Sequence, residues 1–394
     1  DENLMGSAWA VAADSHYALK QYPEAEKGFV ASLNLMSKGA EERPETVEKL
    51  AASVYKQGEI AREGGELRQA VFHFLRVKTI APTASIVATA DFDGASTLFE
   101  LEDWPQTAQV LEAYRSNHPD SPRIADADKM LALAYQRDEK PYEAATVYAR
   151  VADRTGEAPD IRQESAWLFD ASGRDPAAAG QAYERYVTAY PRPVDRAMVA
   201  RSRLVEMAGS DPARRSRWLR DIVAADASAG AERTDATRLL AAESSLALGR
   251  ALAQKTAAMR ITLPLNESLT ARRKAMEETV AMLNQAAAFG FTEVTTEATQ
   301  QLGVVYLNFA AALNASERPG NLDALALEQY ELLLEEQAFP FEERAIETFE
   351  TNLKRIPQGI YDDAIRNSYR ELVKIAPAIY GRNERGISIY EPFQ

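Results

Sequence analysis

The 394-residue chain contains no cysteine. This absence excludes disulfides, cysteine-ligated zinc sites and thiol catalysis, and it is compatible with export into an oxidising compartment. Histidine is scarce too, because the three residues His16, His73 and His118 stand far apart and have no partner at metal-ligand spacing. No nucleophile motif or phosphate-binding loop is present, so we predict no metal, no cofactor and no enzyme activity.

Long apolar runs are also missing. The best, "VVYLNFAAAL" from Val304, is about half of the 18 to 20 residues that span a bilayer. The formal charge of −14 repels phosphate backbones, so we expect protein partners and neither nucleic acid nor direct membrane insertion of the visible chain. Since the chain starts at Asp1, the removal of a leader or lipid anchor stays open.

Strand-like alternation is rare, and alanine-rich segments with apolar residues at spacings of three and four recur, which predicts an all-α fold. One pattern repeats: Ala70 is followed by Phe74 four residues later and by Pro82 at the end of the helix. The same register returns at Thr107, Ala144 and Ala179, at intervals of 37, 37 and 35 residues. A small residue lets two helices approach, the following aromatic residue fills the gap, and proline stops the helix.

In the first repeat, Trp9, Ala12, Ala13 and His16 precede Ala25 and Phe29 in the same register. This arrangement resembles the tetratricopeptide repeat (TPR) family. The resemblance implies an α-solenoid, a right-handed superhelix of helix hairpins. Thr107 and Leu111 depart from the family pattern, and the first interval is longer, 45 residues.

The pattern loosens after Pro191 while helical periodicity persists. We therefore predict a TPR array of about five units over residues 1–192. A degenerate helical continuation with longer helices and a C-terminal cap follows over residues 193–380, and an extended tail over residues 381–394.

Repeat arrays bind partners along the wall formed by their first helices. The TPR register places a set of aromatic, charged and amide side chains on that wall. These candidate partner-binding residues are Tyr17, Tyr55, Glu59, Arg62, Phe99, Lys129, Gln136 and Arg137. Each of them could instead pack against the next repeat.

The segment "EEQAFPFEE" begins at Glu335, within a strongly acidic region. Apolar stripes precede and follow it, so we predict two helices with Pro340 at the joint and with Phe339 and Phe341 fixing the entry angle. The surrounding carboxylates are either a solvated face or a surface for a basic partner.

Residues 316–352, "SERPGN" to "FETN", also resemble the C-terminal region of large TPR proteins of the proteobacterial cell envelope, including those grouped with gliding motility and with TonB- or Tol-type systems. The resemblance implies a periplasmic scaffold near the outer membrane. We expect a non-enzymatic scaffold that docks partner segments in the groove of the array, and the cytoplasm is the second choice of location. Two alternatives stay open: a periplasmic carrier or regulator that encloses a small ligand or glycan, and an accessory domain of an enzyme complex.

Overall fold

The computed structural model describes residues 2–156, 158–320 and 322–381, and in these ranges the regular structure is helical, without a β-strand. The chain divides into two compact units: the first reaches Tyr186, and the second begins at Val187. The predicted boundary at residue 192 separates regular repeats from degenerate ones, and it stays a prediction. Residues 382–394, most of the predicted tail, lie outside the described part.

Within its described residues, the first unit contains nine helices and most of a tenth, which continues past Tyr186. Their bounds are α1 Glu2–Ala18, α2 Tyr22–Leu35, α3 Arg43–Glu63, α4 Leu67–Ile80, α5 Val87–Glu100, α6 Trp104–Asn117, α7 Ile124–Arg137, α8 Pro141–Thr155, α9 Pro159–Ser172 and α10 Pro176–Ala189.

Four consecutive helices of the second unit, from Asp235–Ala257 to Ala324–Leu353, are longer than the described helices of the first unit. The bounds of the helices in the second unit are α11 Val194–Met207, α12 Pro212–Ala227, α13 Asp235–Ala257, α14 Leu265–Ala288, α15 Thr292–Asn314, α16 Ala324–Leu353, α17 Asp363–Ile375 and α18 Pro377–Tyr380. Two short 3-10 turns lie at Gly230–Glu232 and Ile356–Gln358.

Successive helices pack on one another from α1 to α9 and again from α11 to α18. In addition, α3, α5 and α7 contact one another in series, as do α11, α13, α15 and α17. The odd-numbered helices therefore form one layer in each unit. In a curved two-layer array the layer with the closer spacing is the inner one, so the odd-numbered helices form the inner wall.

The turns between paired helices repeat in detail. Lys20, Gly65, Glu102 and Glu139 all adopt positive φ, between 55° and 79°. After each of them the next backbone N–H donates to a carbonyl five residues earlier, as in Asp103 to Leu98 at 3.0 Å. This is the Schellman type of helix end. Its recurrence every 37 residues from Gly65 to Glu139 confirms the repeat that the sequence predicted.

Small residues beneath aromatic rings hold the paired helices together. A Cβ on Gly58 of α3 would stand 2.7 Å from the ring of Phe74 of α4, so only glycine allows this approach. Gly303 of α15 receives the ring of Phe349 of α16 in the same way. Hairpin packing of the TPR type therefore occurs in both units, and the predicted fold class, an all-α TPR-type solenoid, is confirmed.

Two buried aspartates occupy one register of the inner helices. Asp91 of α5 is 2% exposed and lies 3.1 Å from Lys78 Nζ of α4. Asp128 of α7, 37 residues later, is 1% exposed and pairs with Arg115 of α6 at 2.6 Å and with Arg154 of α8. Neighbouring hairpins are thus joined by buried ion pairs as well as by apolar contacts.

The predicted joint at Pro340 is wrong. Helix α16 runs without interruption from Ala324 to Leu353 with Pro340 inside it. The ring of Phe341 packs on Phe309 of α15 at a centroid distance of 4.6 Å, whereas Phe339 is 55% exposed. Because Pro340 is on the exposed face, water can hydrate the carbonyl that proline leaves without a donor, and packing on α15 holds the helix together across it.

Candidate protein-binding surface

The predicted wall residues on α3 are already in contact with the next inner helix. Tyr55 Oη donates to Asp93 Oδ2 of α5 at 2.5 Å, and the Arg62 guanidinium pairs with Glu100 of the same helix. Burial, reinforced by the hydrogen bond to Asp93, holds the pKa of Tyr55 above its usual range. These two side chains join α3 to α5, which makes them part of the inner wall's own structure.

Tyr17, Glu59 and Phe99 also have neighbours nearby in the chain. The Tyr17 and Phe99 rings pack edge-on against Tyr22 and Trp104, at 5.2 and 5.1 Å. Glu59 pairs with Lys56, one turn earlier on α3, at 2.5 Å. The structure leaves all three partly exposed on the first unit. Their role as partner-binding residues stays a prediction.

Gln136 connects three helices. Its Nε2 donates to Glu164 Oε1 of α9 at 2.9 Å, and its Oε1 accepts from Tyr148 Oη of α8 at 2.8 Å. Both ends of the amide are used, so Gln136 fixes the distance from α7 to α9.

Two of the predicted residues are free cations on one face of α7. Lys129 and Arg137 are exposed, four residues before and four residues after Leu133, and neither forms an ion pair within the described part of the chain. Residues four apart in a helix lie on one face. We refer to Lys129, Leu133 and Arg137 on α7, with Trp167 on α9, as the α7–α9 surface.

Leu133 and Trp167 are apolar residues that the sequence-based prediction missed. They are 43% and 55% exposed, and each directly follows a fully buried alanine, Ala132 or Ala166. They therefore share one register on adjacent inner helices. The signal that could have found them is this register, since an apolar residue next to a core alanine on an inner helix points away from the core.

A cavity of about 590 Å³ lies at the ends of α13 and α15 in the second unit. It is lined by Arg272, which is 2% exposed and donates to the carbonyls of Thr256 at 2.5 Å and Asn308 at 3.0 Å. The guanidinium thus caps the C-terminal end of α13, where a cation is favoured. None of the described residues that line the cavity is aromatic.

Within the described ranges, no three metal-ligating side chains converge. A search of the same residues for a helix both long and apolar enough to span a bilayer gives a negative result.

The fold and these surfaces define a TPR-type helical array with an exposed apolar and cationic patch on its inner wall. No known family profile matches the chain, and no curated protein matches it. Among solved structures, a tetratricopeptide repeat protein from Parabacteroides merdae aligns over 76% of this chain and 98% of its own, with 14% identity and a TM-score of 0.26.

Two further solved structures are similar over shorter stretches. MamA from Desulfovibrio magneticus RS-1 aligns over 46% of this chain and 93% of its own, with 16% identity and a TM-score of 0.25. PilF of Pseudomonas aeruginosa aligns over 56% and 91%, with 13% identity and a TM-score of 0.24. Similarity at this level carries no argument about partner or activity, and the fold assignment rests on the chain's own turns and packing.

Proposed function

We propose that the protein is a non-enzymatic scaffold that binds a segment of a partner protein on the α7–α9 surface. The observation that carries the proposal is the pair Leu133 and Trp167, two exposed apolar side chains in one register on adjacent inner helices. A few residues near the centre of an interface supply most of the binding energy, and tryptophan is prominent among them. Among the described residues of α1 and α3, Trp9 and Ile60 are exposed as well, but they do not share one register.

The charges around this pair indicate which charges the partner segment carries. Lys129 and Arg137 lie on either side of Leu133, in a chain whose net charge is −14. Two unpaired cations beside an apolar centre favour a segment with one or two apolar anchors and flanking carboxylates. Arg62, a candidate on the wall, is less suited because Glu100 already neutralises it.

Site-specific photocrosslinking in the native host tests the proposal. A benzophenone amino acid replaces Leu133 or Trp167 in the full chain, and the adducts are identified by mass spectrometry. We expect the same partner at both positions and a different pattern, or none, at Val30, which is 37% exposed on α2.

Charge reversal provides the matched control. Lys129→Glu with Arg137→Glu should abolish the adduct at Trp167, because the carboxylates of the partner would then be repelled. Lys27→Glu with Arg68→Glu changes the net charge equally on exposed positions of α2 and α4 and should leave the adduct intact. An adduct that survives the first pair, in protein with an unchanged circular dichroism spectrum, would remove the proposal.

We also propose that the protein acts in the bacterial cell envelope, in a motility or a TonB- or Tol-type assembly. The absence of cysteine and the resemblance of residues 316–352 support this location. Fractionation of native cells, with one periplasmic and one cytoplasmic marker protein, tests it. Co-fractionation with the cytoplasmic marker alone would contradict it.

A further inference from the structure

Helix α16 has an exposed apolar stripe that nothing in the described chain covers. Leu325, Leu332 and Phe339 are 66%, 59% and 55% exposed, and they follow one another at intervals of seven residues. Seven residues are close to two helical turns, so the three side chains lie along one face. Leu333, 49% exposed, widens the stripe at its centre.

The side chains of the stripe are not among those that pack α16 into the second unit. The buried residues of α16 are Ala338, Ala345, Phe349 and Asn352, so the helix is anchored by its C-terminal half and by a different face. None of the residues from Ala324 to Gln337 is buried. A heptad-spaced apolar face left in water is the feature that pairs helices in coiled coils.

Acidic side chains flank the stripe at the same interval of seven. Glu328, Glu335 and Glu342 each lie three residues after a residue of the stripe. They are directly followed by Gln329, Glu336 and Glu343, in that order. None of these five carboxylates forms an ion pair with a described residue. The nearby Arg318 lies 3.6 Å from Glu331, which is one helical turn before Glu335.

These charges decide what can cover the stripe. A second copy of α16 would bring glutamates against glutamates along the whole seam, and like charges in such positions oppose pairing. A helix with aliphatic residues at heptad spacing and with lysine or arginine beside them satisfies both the apolar stripe and the carboxylates. We propose that the stripe Leu325–Leu332–Phe339 on α16 docks a basic amphipathic helix of a partner protein.

This surface is separate from the α7–α9 surface. It lies on an even-numbered helix of the second unit, outside the inner layer, and it selects the opposite charge. Its failure would therefore leave the proposed function unaffected, and the reverse is also true.

Three synthetic peptides test the docking site on the full chain by fluorescence anisotropy. The first is a helical peptide with leucine at heptad spacing and flanking lysines. The second has the same composition in scrambled order, and the third has glutamate in place of every lysine. We expect the first to bind and the other two to bind at least about tenfold more weakly, because only the first matches both features.

Variants locate the binding. Leu332→Ala and Phe339→Ala should each weaken the first peptide about tenfold. Leu263→Ala removes a leucine of similar exposure, 49%, outside the helix and should leave the affinity unchanged. Equal affinity for the scrambled peptide, or unchanged affinity in both stripe variants, would overturn the proposal. So would sedimentation showing a dimer of the free protein that Leu332→Ala dissociates, because the occupant would then be a second copy.

Discussion

At the scale of single residues, the role of a charged side chain depends on whether the fold buries it. A carboxylate on a helix predicts a solvated face, so Asp91 and Asp128 drew no attention in the sequence. The structure buries both because lysine or arginine from the adjoining helix reaches each of them. Tyr55 and Arg62 show the converse. Both were predicted to face a partner, and each contacts a carboxylate of α5 that the sequence does not distinguish from other helical carboxylates.

Removal of one of these buried aspartates should be costly. In Asp128→Ala, Arg115 and Arg154 lose their shared counter-ion, and we expect the free energy of unfolding to fall by about 3 kcal/mol. Asp126→Ala removes an exposed carboxylate from the same helix and should cost less than about 1 kcal/mol. Urea unfolding followed by circular dichroism measures both. Equal losses would show that burial of Asp128 contributes nothing.

At the scale of helices and turns, the sequence predicted the helices well where small, aromatic and helix-ending residues recurred at a constant spacing. The end of α4 at Ile80 falls two residues before Pro82, where the pattern of small residue, aromatic residue and proline indicated it. Turn conformation was less visible, because Lys20, Glu102 and Glu139 adopt positive φ without being glycine. Pro340 misled the prediction for a related reason: proline is a strong local signal, and the packing of Phe341 and Phe349 outweighs it.

The turn residues with positive φ can be tested by two opposite substitutions in equivalent turns. Glu102→Gly should raise the free energy of unfolding by about 1 kcal/mol, because glycine adopts positive φ without a steric penalty. Gly65→Glu, in the equivalent turn, should lower it by a similar amount. Gln109→Gly, on the exposed face of α6, should destabilise by about 1 kcal/mol. A loss of stability in Glu102→Gly, measured by thermal unfolding, would contradict this account of the turn.

Replacement of Pro340 tests the continuous helix. Pro340→Ala restores an N–H donor to the carbonyl of Glu336 and should stabilise the protein by up to about 3 kcal/mol. The control is Pro141→Ala, because Pro141 is the first residue of α8, where proline has no donor to lose. We expect a shift in the urea midpoint for the first variant alone. A decrease in stability would indicate that Pro340 separates two helices.

At the scale of the whole molecule, stability is built from contacts between helices that are close in sequence. The described core consists of separate clusters, each spanning a few successive helices. Composition and periodicity were sufficient to predict this class of architecture, because each repeat carries its own signals. They were insufficient for the binding surfaces, since exposure of Leu133, Trp167 or Leu332 depends on which face the neighbouring helices cover.

Because each core cluster joins only successive helices, a destabilising substitution should affect only the helices near it. Asp128→Ala should increase amide hydrogen exchange in α6 to α8 and leave α13 to α15 protected as in the unaltered chain, since no described contact of Asp128 reaches those helices. Exchange followed by mass spectrometry measures both regions in one sample. Increased exchange throughout the chain would show that it unfolds as one cooperative body.

The buried ion pairs of the first unit also restrict how such a chain can change length during evolution. Arrays of similar hairpins are commonly lengthened or shortened by recombination between copies. Here Asp128 pairs with an arginine of α6 and with one of α8, so deletion of either flanking helix would remove part of the charge that compensates its burial. The hairpins are therefore ordered segments rather than exchangeable modules, and descendants of this chain should keep their number and order around α7 even where surface residues diverge.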